Sequence, residues 1–307
     1  MINRRHFLQT TSSLGLSALA LPAGLTTLLH NPAPIMAAKP QLKKAVKYGM
    51  IQVKGSIEDK FNAIKKIGFL GVEVDSPSGI NKEEAKKAQE STGIKIHGII
   101  DSVHWRDTLS SPSEEIRNKG LKALEGALQD AAFFGADTVL LVPGVVNDKV
   151  SYEQCFERSQ AEVKKVLPLA EKLKVHIAIE VVWNNFITKP EQLIEYVDAF
   201  KSPWVGAYFD CSNMVKYGVP SSTWIRKLGK RMLKFDFKGF NMKKFEAKQN
   251  PWVEIGSGTE DWPEIVKALG EIGYNGWATA EVGGGGVDFL TKVGKQMDKV
   301  LELPSNS

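Results

Sequence analysis

Four acidic residues stand at equivalent places in four successive apolar segments of the chain. The segments are rich in β-forming residues, and each finishes on a carboxylate, in turn Glu180, Asp210, Asp236 and Glu281. If the segments are parallel strands, these carboxylates meet at one edge of a sheet and repel each other. A divalent cation relieves that repulsion, and oxygen-only ligands favour Mg²⁺ or Mn²⁺ over zinc. We therefore predict one metal ion held by the four acids. For each acid alone, a helix cap or an ion pair with lysine is the alternative.

The elements that would position these acids repeat from residue 46 to residue 302. Short apolar runs alternate with amphipathic segments, a pattern that predicts a parallel sheet. Eight such units predict a closed (β/α)8 barrel, whose working residues lie at the carboxyl ends of the strands. An open doubly wound sheet is the alternative, although no G-x-G-x-x-G motif follows the first strand. The predicted strands are residues 46–50, 71–75, 95–101, 138–142, 176–182, 205–210, 232–238 and 277–282.

Helix signals agree with this arrangement. Ser56 and Ser113 each precede acidic residues, which predicts two N-caps with acids in the first turn. Glycines such as Gly68 and Gly135 follow helix-like stretches, where a left-handed residue ends a helix at little cost. The predicted helices include residues 57–67, 82–92, 113–134, 152–173, 189–200 and 261–272.

Composition limits the classes of function. The chain has 307 residues, of which 43% are apolar and 24% charged, and this excludes a disordered tail or a disulfide-stapled miniprotein. The net charge of +5 is small and mixed along the chain, so no nucleic-acid partner is expected. The two cysteines, Cys155 and Cys211, are expected to be free thiols, although an exported location would permit a disulfide.

The amino-terminal stretch is predicted to be an export signal. Arg4 and Arg5 precede Phe-Leu and a mild apolar run, as in a twin-arginine signal, and small residues follow near position 38. A membrane anchor is the alternative, but the run is short and interrupted by Ser, Pro, Gly and Thr. We expect a periplasmic or otherwise exported protein with no stable membrane insertion once the signal is removed. The predicted organisation is a signal at 1–38, a lead-in at 39–45, one catalytic barrel at 46–302 and a tail at 303–307.

Longer stretches carry a family resemblance. They are residues 179–186, 209–213, 234–239, 256–262 and 280–282. Through them the chain resembles the sugar phosphate isomerase/epimerase group of xylose isomerase-like TIM barrels, over essentially all of residues 46–302. The resemblance implies one metal ion bound by Glu, Asp, His and Glu from strands five to eight, which correspond here to Glu180, Asp210, Asp236 and Glu281.

The third of these positions departs from the family pattern. The family usually has His-x-Lys there, whereas this chain has Asp236, Phe237 and Lys238, and no histidine follows His176. Aspartate is still a ligand for hard metals. The change makes the site more anionic and weakens any preference for zinc.

The resemblance also implies that Glu180 and Glu281 carry protons. Removing a proton next to a carbonyl creates an enediolate, whose charge a bound metal stabilises. Two carboxylates on opposite faces of the substrate allow removal on one side and return on the other. Lys238 either holds the developing oxyanion or forms a structural ion pair with one of the acids.

Five further residues are expected to contact a sugar. His104 and Trp105 follow the third predicted strand, where they suit a hydrogen bond and ring stacking, unless this loop is simply packed. Trp183, Asn184 and Asn213 directly follow predicted metal ligands and would face the bound sugar. Members of the epimerase group carry a substrate-contacting histidine at the place of Asn213, so the resemblance implies a different substrate.

The favoured interpretation is a metal-dependent isomerase or epimerase of a keto-sugar or related small polyol. Export favours an unphosphorylated sugar or a keto-glycoside. A lyase acting on 3-keto-glycosides would use the same proton abstraction. A DNA-repair endonuclease of this fold needs three zinc ions and many histidines, whereas the barrel segment has only His97, His104 and His176. A non-catalytic periplasmic sugar-binding barrel is the remaining alternative.

Overall fold

Eight parallel strands close into a barrel in the computed structural model, which describes residues 39–303. The strands of the barrel are β1 (Lys43–Lys47), β2 (Gly71–Ser76), β3 (Lys95–Asp101), β4 (Thr138–Leu141), β5 (His176–Glu180), β6 (Val205–Asp210), β7 (Met232–Phe237) and β10 (Trp277–Ala280). Their order around the barrel is β1-β10-β7-β6-β5-β4-β3-β2. Two short antiparallel strands, β8 (Gly239–Phe240) and β9 (Trp252–Val253), form a separate hairpin.

Helices connect the strands, which confirms the predicted (β/α)8 TIM-barrel fold. They are α1 (Ile57–Ile67), α2 (Lys82–Thr92), α3 (Glu114–Phe134), α4 (Tyr152–Leu173), α5 (Pro190–Asp198), α6 (Cys211–Met214), α7 (Ser221–Leu228), α8 (Met242–Glu246), α9 (Trp262–Glu271) and α10 (Val287–Val300). Within residues 39–303, no helix combines the length and the apolar character that a membrane crossing requires. Cys155 and Cys211 are buried free thiols, as expected.

The first strand is where the sequence-based boundaries were wrong. It starts at Lys43, inside the segment predicted as a lead-in, and residues Tyr48–Met50 form a 3-10 turn instead of its end. The strand contains three lysines, and Lys44 and Lys47 are buried because each forms ion pairs with acids elsewhere in the chain. Such pairs between distant residues leave no trace in a hydrophobic pattern.

The helix ends follow the expected signals. Ser56 accepts a hydrogen bond from the Asp59 backbone N–H at 3.1 Å, and Ser113 accepts one from Ile116 at 3.4 Å. Gly68 ends α1 with a φ of 94°, a left-handed conformation that glycine adopts at little cost. These ends return the chain to the same face of the barrel before each new strand.

Apolar packing divides into two parts of very different size. The large core lies between strands and helices, with residues such as Phe61, Leu193 and Trp224 fully buried. A small separate cluster contains Leu140, Ala178 and Tyr208 from three adjacent strands. Several other buried strand residues are charged, among them Lys44, Glu73 and Lys234, and each of these lies within ion-pair distance of a partner.

The hairpin after β7 brings an aromatic side chain back to the carboxyl end of the barrel. Phe240 in β8 pairs with Trp252 in β9. Gly239 is required for this pairing, because a Cβ there would lie 2.4 Å from the Glu254 carbonyl oxygen. The hairpin therefore holds Trp252 at a fixed place beside the end of β7.

Candidate active site

A cleft of about 300 Å³ opens at the carboxyl ends of the strands. Charged side chains of both signs line it, namely Lys47, Glu180, Lys238 and Glu281. This is the face on which barrels of this type carry their chemistry. The cleft is therefore the candidate active site.

The structure brings together three of the four acids that the sequence analysis singled out. Glu180 ends β5, Asp236 lies in β7, and Glu281 directly follows β10. One carboxylate oxygen from each lies within 4.8 Å of the others. Glu180 and Asp236 are buried, whereas the side chain of Glu281 is 39% exposed. An all-oxygen group of this size suits a hard divalent cation.

The fourth acid, Asp210, lies outside this group, contrary to expectation. Its Oδ1 accepts hydrogen bonds from the backbone N–H groups of Ser212 and Asn213, both at 2.8 Å, while Oδ2 contacts the Lys238 ammonium. Helix α6 starts immediately after β6, so its free N–H groups meet the carboxylate that ends the strand. Asp210 is thus a helix cap paired with a lysine, the alternative considered for each single acid.

Lys238 joins two of the acids. Its Nζ contacts Asp210 and lies 2.8 Å from Glu281 Oε2. Burial disfavours the charged ammonium, but Asp210 and Glu281 outweigh burial and raise the pKa of Lys238. Lys238 therefore holds a positive charge at the edge of the cleft.

A second lysine, Lys47, was not anticipated. Its Nζ lies 2.5 Å from both Glu73 Oε2 and Asp236 Oδ2. The Tyr208 hydroxyl lies 2.7 Å from the other oxygen of each acid, so the four side chains close a ring. One hydroxyl proton cannot serve two carboxylates, so both contacts are hydrogen bonds only if one acid also holds a proton. Burial raises the pKa of Asp236, despite the opposing effect of Lys47, and this favours such a proton.

The sequence contained a weak signal for this ring. Glu73 interrupts the apolar run of β2, and Tyr208 lies two residues before Asp210 in β6. A charged residue inside a buried strand requires a partner. Nothing in the sequence, however, indicates which strand supplies that partner.

The two glutamates at the cleft differ in their electrostatics. Burial, reinforced by Glu281, raises the pKa of Glu180 well above its ordinary value. Burial acts in the same sense on Glu281, but Lys238 and Lys47 outweigh it and lower the pKa of Glu281. Carboxyl groups whose pKa values are pushed apart are typical of sites that both take and give protons.

Four of the five predicted sugar contacts line the cleft: His104, Trp105, Trp183 and Asn213. The exception is Asn184, which is buried in a loop. Its Nδ2 donates to the Gly144 carbonyl at 2.8 Å, and its Oδ1 accepts from the Phe186 backbone N–H at 3.2 Å. Asn184 therefore braces the loop after β5 and does not face the cleft.

His104 presents a neutral imidazole. The Val142 backbone N–H donates to His104 Nδ1 at 3.3 Å, so the ring proton lies on Nε2. Burial lowers the pKa of His104 to about 4, although Glu281 opposes this effect. His104 is therefore a hydrogen-bond donor without charge at neutral pH.

An aromatic wall borders the cleft, and sequence reasoning found only part of it. The rings of Trp183 and Trp252 stack with centroids 5.1 Å apart at an interplanar angle of 23°. Trp183 Nε1 donates to the Asn213 carbonyl at 2.8 Å, and the Lys216 ammonium lies 4.3 Å from the Trp183 ring centroid. Trp252 lies in the hairpin and does not directly follow a predicted ligand, so only the fold reveals its position.

The Gly-rich stretch of residues 256–262 fastens the hairpin to the end of β6. Glu260 Oε1 accepts hydrogen bonds from Ser212 Oγ at 2.8 Å and from the Phe240 N–H at 2.7 Å. Ser212 Oγ in turn accepts from the Lys238 N–H at 3.0 Å. A Cβ on Gly258 would lie 1.9 Å from Glu260 Oε2, so glycine is needed for this approach. These hydrogen bonds fix the backbone of Lys238.

Sequence comparison identifies relatives among carbohydrate enzymes. The sequence profile of a family described as xylose isomerase-like TIM barrel matches residues 61–301. An L-ribulose-5-phosphate 3-epimerase UlaE from Escherichia coli O1:K1 is 24% identical over 123 residues, which is 40% of this chain and 43% of that protein. The protein of the same name from Salmonella paratyphi A is 21% identical over 193 residues, covering 62% and 65%. The chain thus spans less than half the length of the first of these curated relatives.

Solved structures show the same fold at low identity. The 3-keto-D-glucoside 4-epimerase YcjR from E. coli superposes with a TM-score of 0.71 and 17% identity, covering 85% of this chain and 99% of that one. An L-ribulose 3-epimerase has a TM-score of 0.71 and 15% identity, covering 85% and 95%. An IolI protein with a bound zinc atom has a TM-score of 0.71 and 16% identity, covering 87% and 100%.

Replacing Lys47 by Met tests the buried ring. Removing the ammonium leaves Glu73 and Asp236 buried without a cation, so we expect the free energy of unfolding in urea to fall by about 3–5 kcal/mol. The loss should shrink as the pH falls, because protonation removes the uncompensated charge. The matched control is Lys43→Met, on the exposed start of the same strand, which should change stability by less than about 0.5 kcal/mol. Equal stability of the two variants would contradict this role for Lys47.

Proposed function

The chain belongs to the xylose isomerase-like TIM barrel family, and on that premise we propose that it is an epimerase or isomerase of keto-sugars. The observation that carries the proposal is the pair Glu180 and Glu281 on the walls of one cleft, with the charged Lys238 beside them. The names of the curated relatives and of the superposed structures support the same class of reaction.

The proposed reaction starts when one carboxylate removes a proton from the carbon next to the substrate carbonyl. β5 and β10 are separated by β6 and β7 in the barrel, so Glu180 and Glu281 approach a bound sugar from different sides. Return of a proton to the opposite face of the same carbon inverts its configuration. Return to the former carbonyl carbon, while a hydroxyl proton passes from one enediolate oxygen to the other, interconverts ketose and aldose. In both cases one carboxyl group takes up a proton while the other gives one up, so the two have interchanged their acid and base roles at the end of the reaction.

Positive and hydrogen-bonding groups suited to the enediolate stand beside this pair. Lys238 supplies a full charge on a backbone held by Ser212. His104 offers an uncharged N–H donor in the same cleft. Donors fixed in advance around a developing negative charge stabilise it without rearrangement. We propose that Lys238 binds the oxyanion and that its ion pairs with Asp210 and Glu281 orient it.

We further propose that Glu180, Asp236 and Glu281 hold one divalent ion, Mn²⁺ or Mg²⁺. Their oxygens lie close enough to share an ion, and the only partner of the buried Asp236 Oδ2 is the Lys47 ammonium. When bound, such an ion supplies Lewis-acid stabilisation of the enediolate oxygens. The Lys238 and Lys47 ammonium groups already contact two of these carboxylates, so they compete with an ion for the same oxygens.

We propose that the substrate is an unphosphorylated small carbohydrate, because we also propose that the protein is exported. Arg4 and Arg5 fall outside residues 39–303, so the proposal of a twin-arginine signal rests on the sequence. A periplasmic location would remove the protein from the cytoplasmic pool of sugar phosphates. The phosphate in the names of the curated relatives is therefore not carried over to this chain.

Metal binding is tested by calorimetric titration of the purified protein with Mn²⁺. We expect one ion per chain, and a loss of about tenfold or more in affinity in Glu180→Gln, because a neutral amide is a weaker ligand than a carboxylate. Lys238→Met should bind Mn²⁺ more tightly than the natural protein, because the competing ammonium is gone. Glu90→Gln, at the far end of α2, is the control and should leave binding unchanged. No binding at millimolar Mn²⁺ in any of these proteins would refute the metal proposal.

The proton-transfer role is tested with Glu281→Gln. The amide keeps the shape but cannot act as a base, so turnover of keto-sugars should fall by about 10²–10⁴-fold. Incorporation of solvent deuterium next to the carbonyl should fall with it, while Glu90→Gln retains both. Full turnover in Glu281→Gln, or turnover without any deuterium exchange, would contradict the mechanism. Release of an aglycone in place of a changed stereocentre would identify a lyase.

Export is tested by replacing Arg4 and Arg5 with lysine. The conservative change keeps the charge but removes the arginine pair that the twin-arginine route recognises. We expect the precursor to accumulate in the cytoplasm while the unchanged protein reaches the periplasm, as measured by cell fractionation and immunoblotting. Unaltered export of the double variant would exclude this route.

A further inference from the structure

Two tryptophans at the cleft are unusually exposed. Most large apolar side chains among residues 39–303 are buried, yet Trp105 is 52% exposed and Trp252 is 37% exposed. Both line the cleft that holds Glu180 and Glu281. Exposed aromatic surface beside a polar cleft is typical of a place where a ligand completes the packing.

The two tryptophans follow strands on opposite sides of the barrel. Trp105 follows β3, and Trp252 belongs to the hairpin that follows β7. β3 and β7 are four strands apart in a closed ring of eight, the largest separation that such a ring allows. Both tryptophans line the same cleft as Glu180 and Glu281, so a ligand held by these carboxylates lies beside the two rings.

Trp252 is held rigidly and close to the chemistry. One ring face stacks on Trp183, and Phe240 meets it edge-on with centroids 5.3 Å apart. The Lys238 ammonium lies 5.7 Å from the centroid of the Trp252 ring. The hairpin itself is fastened through Glu260. A ring fixed in this way loses little conformational entropy when it binds a flat partner.

We propose that the cleft binds a glycoside of at least two rings, with the reacting sugar at the carboxylates and the neighbouring ring at the mouth between Trp105 and Trp252. The C–H face of a pyranose packs well on an indole ring, and the sugar hydroxyls remain in water. A free monosaccharide at the carboxylates would leave this aromatic surface uncovered. The assignment of the reacting sugar to the carboxylates rests on the proposed function. Binding of the second ring does not.

Binding of unreactive sugars tests the inference without any turnover. The probes are methyl hexosides of glucose, galactose and mannose, and the disaccharides in which a second pyranose replaces the methyl group. Calorimetry is run on the natural protein, Trp105→Ala and Trp252→Ala. The matched control is Trp204→Ala, because Trp204 precedes β6 at the opposite end of the barrel and packs on His176.

We expect at least one disaccharide to bind about tenfold more tightly than its methyl hexoside. Each cleft variant should reduce that ratio by roughly three- to tenfold, and Trp204→Ala should keep it. Equal binding of both sugar classes, or no disaccharide binding at millimolar concentration, would overturn the inference. So would a dimer in sedimentation that shields both tryptophans from iodide quenching, since a second copy would then cover them. Retained disaccharide preference in a protein without proton exchange would instead refute the proposed function alone.

Discussion

Carboxylates outnumber ammonium groups at the carboxyl end of this barrel, and the placement of the two lysines there decides what each acid can do. Lys47 pairs with Glu73 and Asp236, and Lys238 pairs with Asp210 and Glu281 at the edge of the cleft. Without these cations, burial would force the acids to take up protons. Lys47 is buried and Lys238 is partly buried, so breaking the pairs of either lysine lowers the stability of the barrel.

The two lysines also divide the acids by role. Asp210 uses one oxygen for the N-cap of α6 and the other for Lys238, so it orients the lysine. Glu180 lies in the cleft with a raised pKa, and Glu281 beside Lys238 has a lowered one. The same charge balance therefore leaves two carboxyl groups with different proton affinities on the walls of one cleft, as the proposed proton exchange requires.

Loops from distant parts of the chain complete the site, and the hydrogen bonds of Glu260 hold them together. Glu260 joins Ser212, at the end of β6, to Phe240 in the hairpin after β7. Ser212 also binds the backbone of Lys238. The positions of Lys238 and Trp252 are thus coupled through the carboxylate of Glu260. The stretch of residues 256–262, which the sequence analysis noted only as part of a family resemblance, has this concrete structural role.

The sequence by itself determined the barrel and the cleft face, because strand and helix periodicity, caps and end glycines are local properties of the chain. It also located Glu180, Asp236 and Glu281, since each lies at or near a strand end and the fold brings such ends together. Only the tertiary structure decided that Asp210 caps α6 and pairs with Lys238, that Asn184 braces a loop, and that Lys47 and Trp252 enter the site. Apart from the cap bonds of Asp210, which are local, these outcomes depend on partners far apart in sequence. Such contacts are set by the closure of the barrel, and local periodicity carries no information about them.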